Sequence, residues 1–167
     1  VALEVLRRLG AKVQYEPGEG TAVIDATTIN NTRLPAELTG RLRASILFVG
    51  PLLGRFRQAQ IEEVGGCTIG QRPVDFHYRG FARLGASVEG MRGGGFHVSA
   101  ADLQGAFMYC DVPSHTGVEN LVMAASLARG ESIIENAASD PEIEDFALLM
   151  AKMGARVEGI GTRTVSI

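Results

Sequence analysis

The stretch from Gly65 to Asp75 carries the residues best suited to chemistry. It reads Gly-Gly-Cys-Thr-Ile-Gly-Gln-Arg-Pro-Val-Asp. Two adjacent glycines free the backbone to bend tightly or to lie against a ligand, and Cys67 follows them on a predicted loop, where a thiol is accessible. Arg72 offers a planar fork of donors that suits a phosphate or a carboxylate. These residue types predict an anion-binding site beside a thiol.

The helix predicted after this loop supports the same interpretation. Val74–Leu84 has apolar residues at helical spacing, and Pro73 suits the first helical turn. Arg72 would then lie at a helix N-terminus, where unpaired N–H groups and the helix dipole favour an anion. The simpler alternative, which composition alone favours, is a surface loop with an incidental cysteine. The segment is not a P-loop, because no Gly-Lys-Ser/Thr follows the glycines.

Composition narrows the class of protein. The chain has 167 residues, 46% of them hydrophobic, which is enough for one sizeable domain or two small ones. A net charge of −3 argues against a nucleic-acid or membrane-surface partner. Only two cysteines are present, which favours a reducing compartment and hence the cytoplasm. The three histidines lack metal-ligand spacing, so we expect neither a metal nor a cofactor. The chain begins in helical register without a cap, which predicts a fragment of a longer protein.

Hydrophobic periodicity and turn residues predict an alternation of helices and strands. Helices are predicted at 1–9, 34–53, 74–84, 118–128 and 142–153, and strands at 11–15, 21–26, 58–64, 86–91, 96–100, 103–112, 131–136, 155–159 and 164–167. The apolar residues of 103–112 fall in both alternating sets, which predicts a strand covered on much of both faces.

A short motif recurs three times and defines a repeat. Arg8–Val13, Arg83–Val88 and Lys152–Val157 match position by position, each after an amphipathic helix and before a predicted hairpin. The chain therefore divides into the tail of one unit, 1–32, and two units, 33–100 and 101–167. Each unit has the order strand–helix–strand–helix–strand–strand. We expect apolar helices inside and sheets outside.

The repeat and the cysteine loop together resemble the enolpyruvyl transferases, in particular those that act on UDP-N-acetylglucosamine. The motifs that carry the resemblance are Leu42-Arg43-Ala44-Ser45-Ile46-Leu47, Gly50-Pro51-Leu52-Leu53, Gly66-Cys67-Thr68-Ile69-Gly70-Gln71-Arg72-Pro73-Val74-Asp75 and Ile134-Glu135-Asn136-Ala137-Ala138. The resemblance covers the whole chain. It implies an inside-out α/β prism of βαβαββ units and a chain that makes up most of one domain, which packs against a second, missing domain.

The resemblance also implies a reaction. The family transfers enolpyruvate from phosphoenolpyruvate to the 3-hydroxyl of UDP-N-acetylglucosamine and releases phosphate, the first committed step of peptidoglycan synthesis. That step links the family to cell wall biogenesis, cell shape and cell division. Cys67 matches the family's proton donor, which fosfomycin alkylates, and Arg72 matches the arginine that faces substrate phosphate. The family's catalytic aspartate and further basic residues lie outside this chain, so the fragment alone should be inactive.

Further residues match positions that hold the nucleotide sugar in the family. They are Arg43, Pro73, Val74, Asp75, Phe76, Ser114 and His115. Four of them have a purely structural alternative to substrate binding. Arg43 would be a solvated helix charge, Asp75 an N-terminal helix acid, Ser114 an N-cap and His115 an exposed turn residue. Cys110, in contrast, is expected to be a buried strand residue.

The sequence departs from the family pattern at a few positions. Val64 stands where a proline is usual, and Val112 stands where some members have a lysine. The segment Ser114-His115-Thr116-Gly117-Val118-Glu119-Asn120 replaces the usual Ser-Val-Gly-Ala-Thr-Glu-Asn. These departures leave open a paralogue for a related sugar nucleotide, or a non-catalytic sugar-nucleotide-binding domain. A 5-enolpyruvylshikimate-3-phosphate synthase is a weaker alternative, because such enzymes lack the cysteine loop.

Overall fold

The computed structural model describes residues 1–65, 74–91 and 94–167. The α-helices in this part of the chain are α1 (Ala2–Leu9), α2 (Ala36–Thr39), α3 (Val49–Phe56), α4 (Asp75–Arg83), α5 (His115–Ala125) and α6 (Pro141–Lys152), with a 3-10 helix at Arg43–Phe48. The strands are β1 (Lys12–Glu16), β2 (Thr21–Asp25), β3 (Arg33–Leu34), β4 (Gln58–Ile61), β5 (Ser87–Gly90), β6 (Phe96–Ser99), β7 (Phe107–Tyr109), β8 (Ile133–Glu135) and β9 (Thr164–Ser166). The expected mixture of helices and strands is confirmed.

The strands form three separate sheets with related topology. β1 and β2 are an antiparallel pair, the second sheet has the order β3-β4-β6-β5, and the third has the order β7-β8-β9. In the second sheet β3 runs parallel to β4, and β4 runs antiparallel to β6. In the third, β7 runs parallel to β8, and β8 runs antiparallel to β9. The same pattern of pairing therefore occurs twice along the chain.

The repeated Leu/Met-Gly-Ala motif ends a helix in the same way each time. Gly10, Gly85 and Gly154 have φ of 102°, 93° and 102°, in the left-handed region that favours glycine. At each site the N–H of the following alanine donates to a carbonyl five residues earlier, at 3.0 Å: Ala11 to Leu6, Ala86 to Phe81 and Ala155 to Met150. This Schellman-type closure explains why the motif recurs at each turn from helix into the next segment.

Two apolar helices, α3 and α5, pack at the centre of the core. Leu53, Val118 and Leu121 are fully buried there. Gly50 and Gly54 lie one turn apart on α3 and face α5, where a side chain at position 50 would overlap the carbonyl oxygen of Asn120. Helix α5 approaches α3 this closely because both positions lack a Cβ.

The prediction of one continuous helix over 34–53 is wrong. Leu34 lies in β3, opposite Ile61, and the following residues form α2, the 3-10 helix and α3 in succession. Gly40 ends α2, and Pro51, which cannot continue a helix from the preceding turn, falls in the first turn of α3, where its missing N–H costs nothing. The apolar pattern persists across all three pieces because each is packed into the same core.

Two predicted strands are shorter or absent. Strand β7 covers only Phe107–Tyr109 of the predicted 103–112, and it is not covered on both faces, since Phe107 and Tyr109 are 55% and 57% exposed. At 155–159, the pairing with β9 reduces to one bridge between Glu158 and Ser166. None of the helices in residues 1–65, 74–91 and 94–167 has both the length and the hydropathy of a membrane-spanning segment.

Candidate functional site

Three separated segments surround one open cavity of about 500 Å³. They are the start of the 3-10 helix, the first turn of α4, and the loop that leads from β7 into α5. The lining residues are Arg43, Asp75, Phe76, Arg79, Asp111, Val112, Pro113, Ser114, His115 and Thr116. Five of them, Arg43, Asp75, Phe76, Ser114 and His115, are residues that the sequence predicted to bind substrate, and they come from positions far apart in the chain.

Arg43 stands at the first position of the 3-10 helix, on one wall of the cavity. The preceding Leu42 is extended, with φ of −139° and ψ of 107°, and separates this helix from α2. The Arg43 guanidinium donates to the carbonyl oxygen of Gly65 at 3.4 Å. Arg43 is half-buried, so it is not the fully solvated helix charge of the structural alternative. Its side chain lies between the cavity and the residue that precedes the cysteine loop.

The first turn of α4 forms the second wall. Val74 is the N-cap residue of this helix, and Asp75 and Phe76 are its first two residues. Arg79 pairs with the Asp75 carboxylate at 3.1 Å, one turn along the helix, and with the Asp111 carboxylate at 2.6 Å, across the cavity rim. The bond to Asp111 raises the pKa of Arg79 further above its usual range. These contacts link α4 to the loop after β7.

The N-terminus of α5 forms the third wall. Ser114 is its N-cap, and the Ser114 hydroxyl accepts a hydrogen bond from the N–H of Gly117 at 3.2 Å. The helix therefore begins at His115, three residues before the predicted start at Val118. Gly117 lies directly against the aromatic ring of Phe76, because a Cβ there would be 2.5 and 2.7 Å from two ring carbons. Ser114 is thus both a capping residue and part of the cavity wall.

His115 lies between two carboxylates from the N-terminus of α6. Its Nε2 is 2.8 Å from Asp140 Oδ2, and its Nδ1 is 3.2 Å from Glu142 Oε1. Nearby, burial raises the pKa of Glu119 above its usual value, a proton on His115 opposes the rise, and the negative Glu142 adds to it. The sequence assigned His115 either to substrate or to an exposed turn, and neither assignment anticipated this contact between α5 and α6.

A buried polar cluster connects the 3-10 helix of the first wall to α4 of the second wall. The Asn120 side-chain amide donates to the carbonyl of Ile46 at 3.0 Å and lies 3.0 Å from His77 Nδ1, while its oxygen accepts from the N–H of Gly50 at 2.7 Å. Burial lowers the pKa of His77 to about 4, and the positive Arg43 contributes to the fall. His77 is therefore neutral at physiological pH, with Nδ1 free to accept the Asn120 hydrogen bond.

Of the four remaining predicted residues, Val74 is the N-cap residue of α4 and is not among the lining residues, and the other three lie outside the part of the chain that the structure describes. These three are Cys67, Arg72 and Pro73. Gly65, which precedes them, accepts the hydrogen bond from Arg43. Val74, which follows them, comes directly before Asp75 in the chain. The roles assigned to Cys67, Arg72 and Pro73 stay predictions. Cys110, by contrast, is fully buried, as expected, and burial raises the pKa of its thiol to about 12.

Sequence reasoning missed four charged residues around the cavity. Arg79 and Asp111 line it, and Asp140 and Glu142 contact His115. The spacing of Asp75 and Arg79, one helical turn apart, was a signal for one ion pair. No local signal linked Arg79 to Asp111. Within residues 1–65, 74–91 and 94–167, no group of three or more His, Cys, Asp or Glu residues is placed to hold a metal ion.

Comparison with known proteins agrees with this fold and extends the argument to function. The sequence model of the family EPSP synthase (3-phosphoshikimate 1-carboxyvinyltransferase) matches residues 1–167. A UDP-N-acetylglucosamine 1-carboxyvinyltransferase of Thermobifida fusca is 47% identical over 99% of this chain, and UDP-N-acetylglucosamine 1-carboxyvinyltransferase 2 of Carboxydothermus hydrogenoformans is 46% identical over 99%. The chain spans 39% of the length of both relatives.

A solved structure supports the fold independently. The enolpyruvyl transferase NikO from Streptomyces tendae superposes with a TM-score of 0.79 at 20% sequence identity, over 98% of this chain and 38% of that protein. At this level of identity the likeness concerns the fold alone. It agrees with the mixture of helices and separate sheets that the described residues form.

Proposed function

This chain belongs to the EPSP synthase (3-phosphoshikimate 1-carboxyvinyltransferase) family, and we propose that it is the part of an enolpyruvyl transferase that holds the acceptor nucleotide. The full protein would transfer enolpyruvate from phosphoenolpyruvate to the 3-hydroxyl of UDP-N-acetylglucosamine and release phosphate. The observation that carries the proposal is the single cavity that gathers Arg43, Asp75, Phe76, Ser114 and His115. The choice of acceptor follows the names of relatives that are 46–47% identical.

The cavity has the size and chemistry that a sugar nucleotide needs. Its volume of about 500 Å³ falls within the range of small-molecule sites, about 300–1,000 Å³. The Arg43 guanidinium supplies a cation for a diphosphate, and the Phe76 ring supplies an apolar face for a base. The Asp75 carboxylate can accept from base or sugar N–H and O–H groups. Arg79 is already paired with two carboxylates, so we assign it to the wall.

The reacting end of the site is proposed for the loop that follows Gly65. Cys67 would donate its thiol proton to the methylene carbon of phosphoenolpyruvate while the acceptor oxygen bonds to the adjacent carbon. An ordinary thiol has a pKa of about 8.5 and is protonated at neutral pH, as a general acid must be. The tetrahedral adduct would then lose a proton from its new methyl group to the Cys67 thiolate and lose phosphate from the adjacent carbon, which restores the C=C bond of the enol ether, and Arg72 would hold the leaving phosphate. The base that takes the acceptor proton would come from outside this chain.

Two alternative functions differ from this proposal, one in lacking catalytic activity and the other in its acceptor. A non-catalytic sugar-nucleotide-binding protein is favoured only by the departures at Val112, His115 and Thr116, of which His115 has contacts of its own in this structure. A 5-enolpyruvylshikimate-3-phosphate synthase would share the fold but not the cysteine loop. The roles in peptidoglycan synthesis and cell division, and the cytoplasmic location favoured by cysteine usage, belong to the main proposal.

Phosphate release by the full-length protein tests the proposal. The protein would be incubated with phosphoenolpyruvate and UDP-N-acetylglucosamine, with each substrate omitted in turn, and with shikimate 3-phosphate as a competing acceptor. Release that needs both substrates, and that fosfomycin and Cys67→Ala both abolish, supports the reaction and the role of Cys67. Release with shikimate 3-phosphate instead would transfer the assignment to the synthase. Saturable nucleotide binding without any release would favour the binding protein.

A further inference from the structure

The two ring nitrogens of His115 face two different carboxylates. Nε2 is 2.8 Å from Asp140 and Nδ1 is 3.2 Å from Glu142. Asp140 is the N-cap residue of α6 and Glu142 is in its first turn, whereas His115 is the first residue of α5. The imidazole is therefore a bridge between the beginnings of two helices.

Counting donors shows which form of the imidazole completes this bridge. An ionised carboxylate only accepts hydrogen bonds, and a neutral imidazole has one N–H to donate. Only the imidazolium can donate to Asp140 and Glu142 together. When the proton is lost, one ring nitrogen presents a lone pair to a carboxylate oxygen, and that contact changes from attractive to repulsive. The complete bridge thus requires a protonated His115.

The neighbouring charges decide whether the proton is tolerated. A positive side chain at the N-terminus of α5 is opposed by the helix dipole, but the two α6 carboxylates offset this. The other charged side chains of the surrounding elements are Glu119 on α5, Glu144, Asp145 and Lys152 on α6, and the cavity-lining Arg43, Asp75, Arg79 and Asp111. The two arginines and two aspartates of the lining balance, so the proton on His115 also sets the net charge of the cavity wall.

The bridge is part of the cavity wall, because His115 is itself one of the lining residues. Ser114 and Thr116, on either side of His115 in the sequence, both line the cavity. Ser114 caps α5, so a shift of the first turn of α5 moves the cap and the wall together. Gly117 in the same turn lies against the Phe76 ring, which extends the effect to the wall formed by the first turn of α4.

We propose that His115 is a positioning residue for the acceptor nucleotide: the imidazolium ties the first turn of α5 to Asp140 and Glu142, and nucleotide affinity weakens as this tie loses its proton. The inference rests on the proposed function for the identity of the ligand. It does not require that His115 touch the nucleotide.

The test is calorimetric binding of UDP-N-acetylglucosamine to the full-length protein at about pH 6 and about pH 8.5, on either side of the range in which histidines titrate. The diphosphate of this probe keeps a constant charge in that range, because it is esterified at both ends. The wild-type protein should bind up to about fivefold more weakly at the higher pH, the most that losing a partly exposed charge pair usually costs. His115→Val should bind weakly at both.

Glu142→Gln separates positioning from a merely structural role. The amide that replaces the Glu142 carboxylate can donate to an unprotonated Nδ1 while Nε2–H still donates to Asp140, so the neutral imidazole completes the bridge. This variant should bind tightly at both pH values. The inference is overturned if wild-type affinity is independent of pH, if His115→Val keeps the wild-type pH dependence, or if Glu142→Gln keeps it.

A ligand-free measurement distinguishes failure of this inference from failure of the proposed function. The difference in urea midpoint between the wild-type protein and His115→Val should shrink as the pH rises, because the wild-type bridge is lost. If the difference shrinks but no variant binds the nucleotide, the bridge exists, the proposed function fails, and the positioning role fails with it. A difference that is constant with pH overturns the bridge itself.

Discussion

The side-chain oxygen of Asn120 accepts a hydrogen bond from the backbone N–H of Gly50 at 2.7 Å, across 70 residues of sequence. Gly50 is in the first turn of α3, where N–H groups have no partner within the helix. The same amide donates to the carbonyl of Ile46, in the 3-10 helix that begins with Arg43. Asn120 therefore caps one helix and anchors another while it is fully buried in a third.

Replacement of Asn120 should destabilise the protein more than its size suggests. Asn120→Ala leaves the Gly50 N–H and the Ile46 carbonyl without their partner in the core. Each buried group left unpaired costs about 1–3 kcal/mol, so we expect a loss of about 3 kcal/mol in the free energy of unfolding. Urea unfolding measures it. The control is Gln104→Ala at an exposed position, expected to cost below about 0.5 kcal/mol. Equal effects of the two would contradict this role of Asn120.

His77 should make stability depend on pH in the acidic range. Burial lowers its pKa to about 4 from a usual 6.5, so between these values the unfolded chain binds a proton that the folded chain does not. Stability is then complete above the unfolded pKa and falls as the pH drops toward the folded pKa, by on the order of 3 kcal/mol. The measurement is the free energy of unfolding at several pH values for wild-type protein and His77→Gln, whose amide oxygen can still accept from Asn120.

Comparison with His97→Gln isolates this effect from other titrations. His97 is only partly buried in β6, and its replacement should leave the acid dependence of stability as in the wild-type protein. Only His77→Gln should flatten the curve. A wild-type slope that survives in His77→Gln would show that other groups cause it.

The parts of the fold that the sequence predicted are those with local signals. The glycines that end α1, α4 and α6 are recognisable because a left-handed C-cap requires glycine or nearly so. The start predicted for the last helix, at residue 142, is likewise within one residue of the start of α6 at Pro141. The division of 34–53 into three helical pieces was missed because an apolar surface on all sides hides the breaks at Gly40 and Pro51. Tertiary packing, which periodicity does not report, determines that division.

The candidate site, like the fold, could be predicted from the sequence only in part. Arg43, Asp75, Phe76, Ser114 and His115 were assigned by resemblance, and the structure brings them to one cavity. Nothing local in the sequence connects Arg79 with Asp111, or His115 with Asp140, because these contacts join segments that meet only in the folded chain. Long-range ion pairs of this kind depend on geometry and not on spacing.

The two cysteines should differ sharply in reactivity. Cys110 is fully buried, and burial raises the pKa of its thiol to about 12, so it has almost no thiolate at neutral pH. Cys67 is proposed as the reactive thiol of the loop. After brief treatment with iodoacetamide at neutral pH, peptide mass spectrometry should find the label on Cys67 and not on Cys110. Both should be labelled after denaturation. Label on Cys110 in the native protein would contradict its burial.

The contact between Gly117 and Phe76 should set the width of the cavity. A methyl group at position 117 would lie 2.5 Å from the Phe76 ring, so in Gly117→Ala the ring must move. Because Phe76 lines the cavity, we expect a roughly tenfold rise in KM for UDP-N-acetylglucosamine, as displaced binding groups commonly cause losses of this order or larger. The KM for phosphoenolpyruvate should change little, since that substrate is proposed to bind beside Cys67.

Gly90→Ala is the matched control for this change, because no atom lies within 4 Å of a Cβ built at Gly90, and the residue is in β5, away from the cavity lining. Its kinetic constants should equal those of the wild-type enzyme. If Gly117→Ala raised both KM values equally, the change would have disturbed the whole site and not the nucleotide wall alone. If it raised neither, the Phe76 ring would have moved without consequence for binding, and Phe76 would lose its place in the proposed nucleotide site.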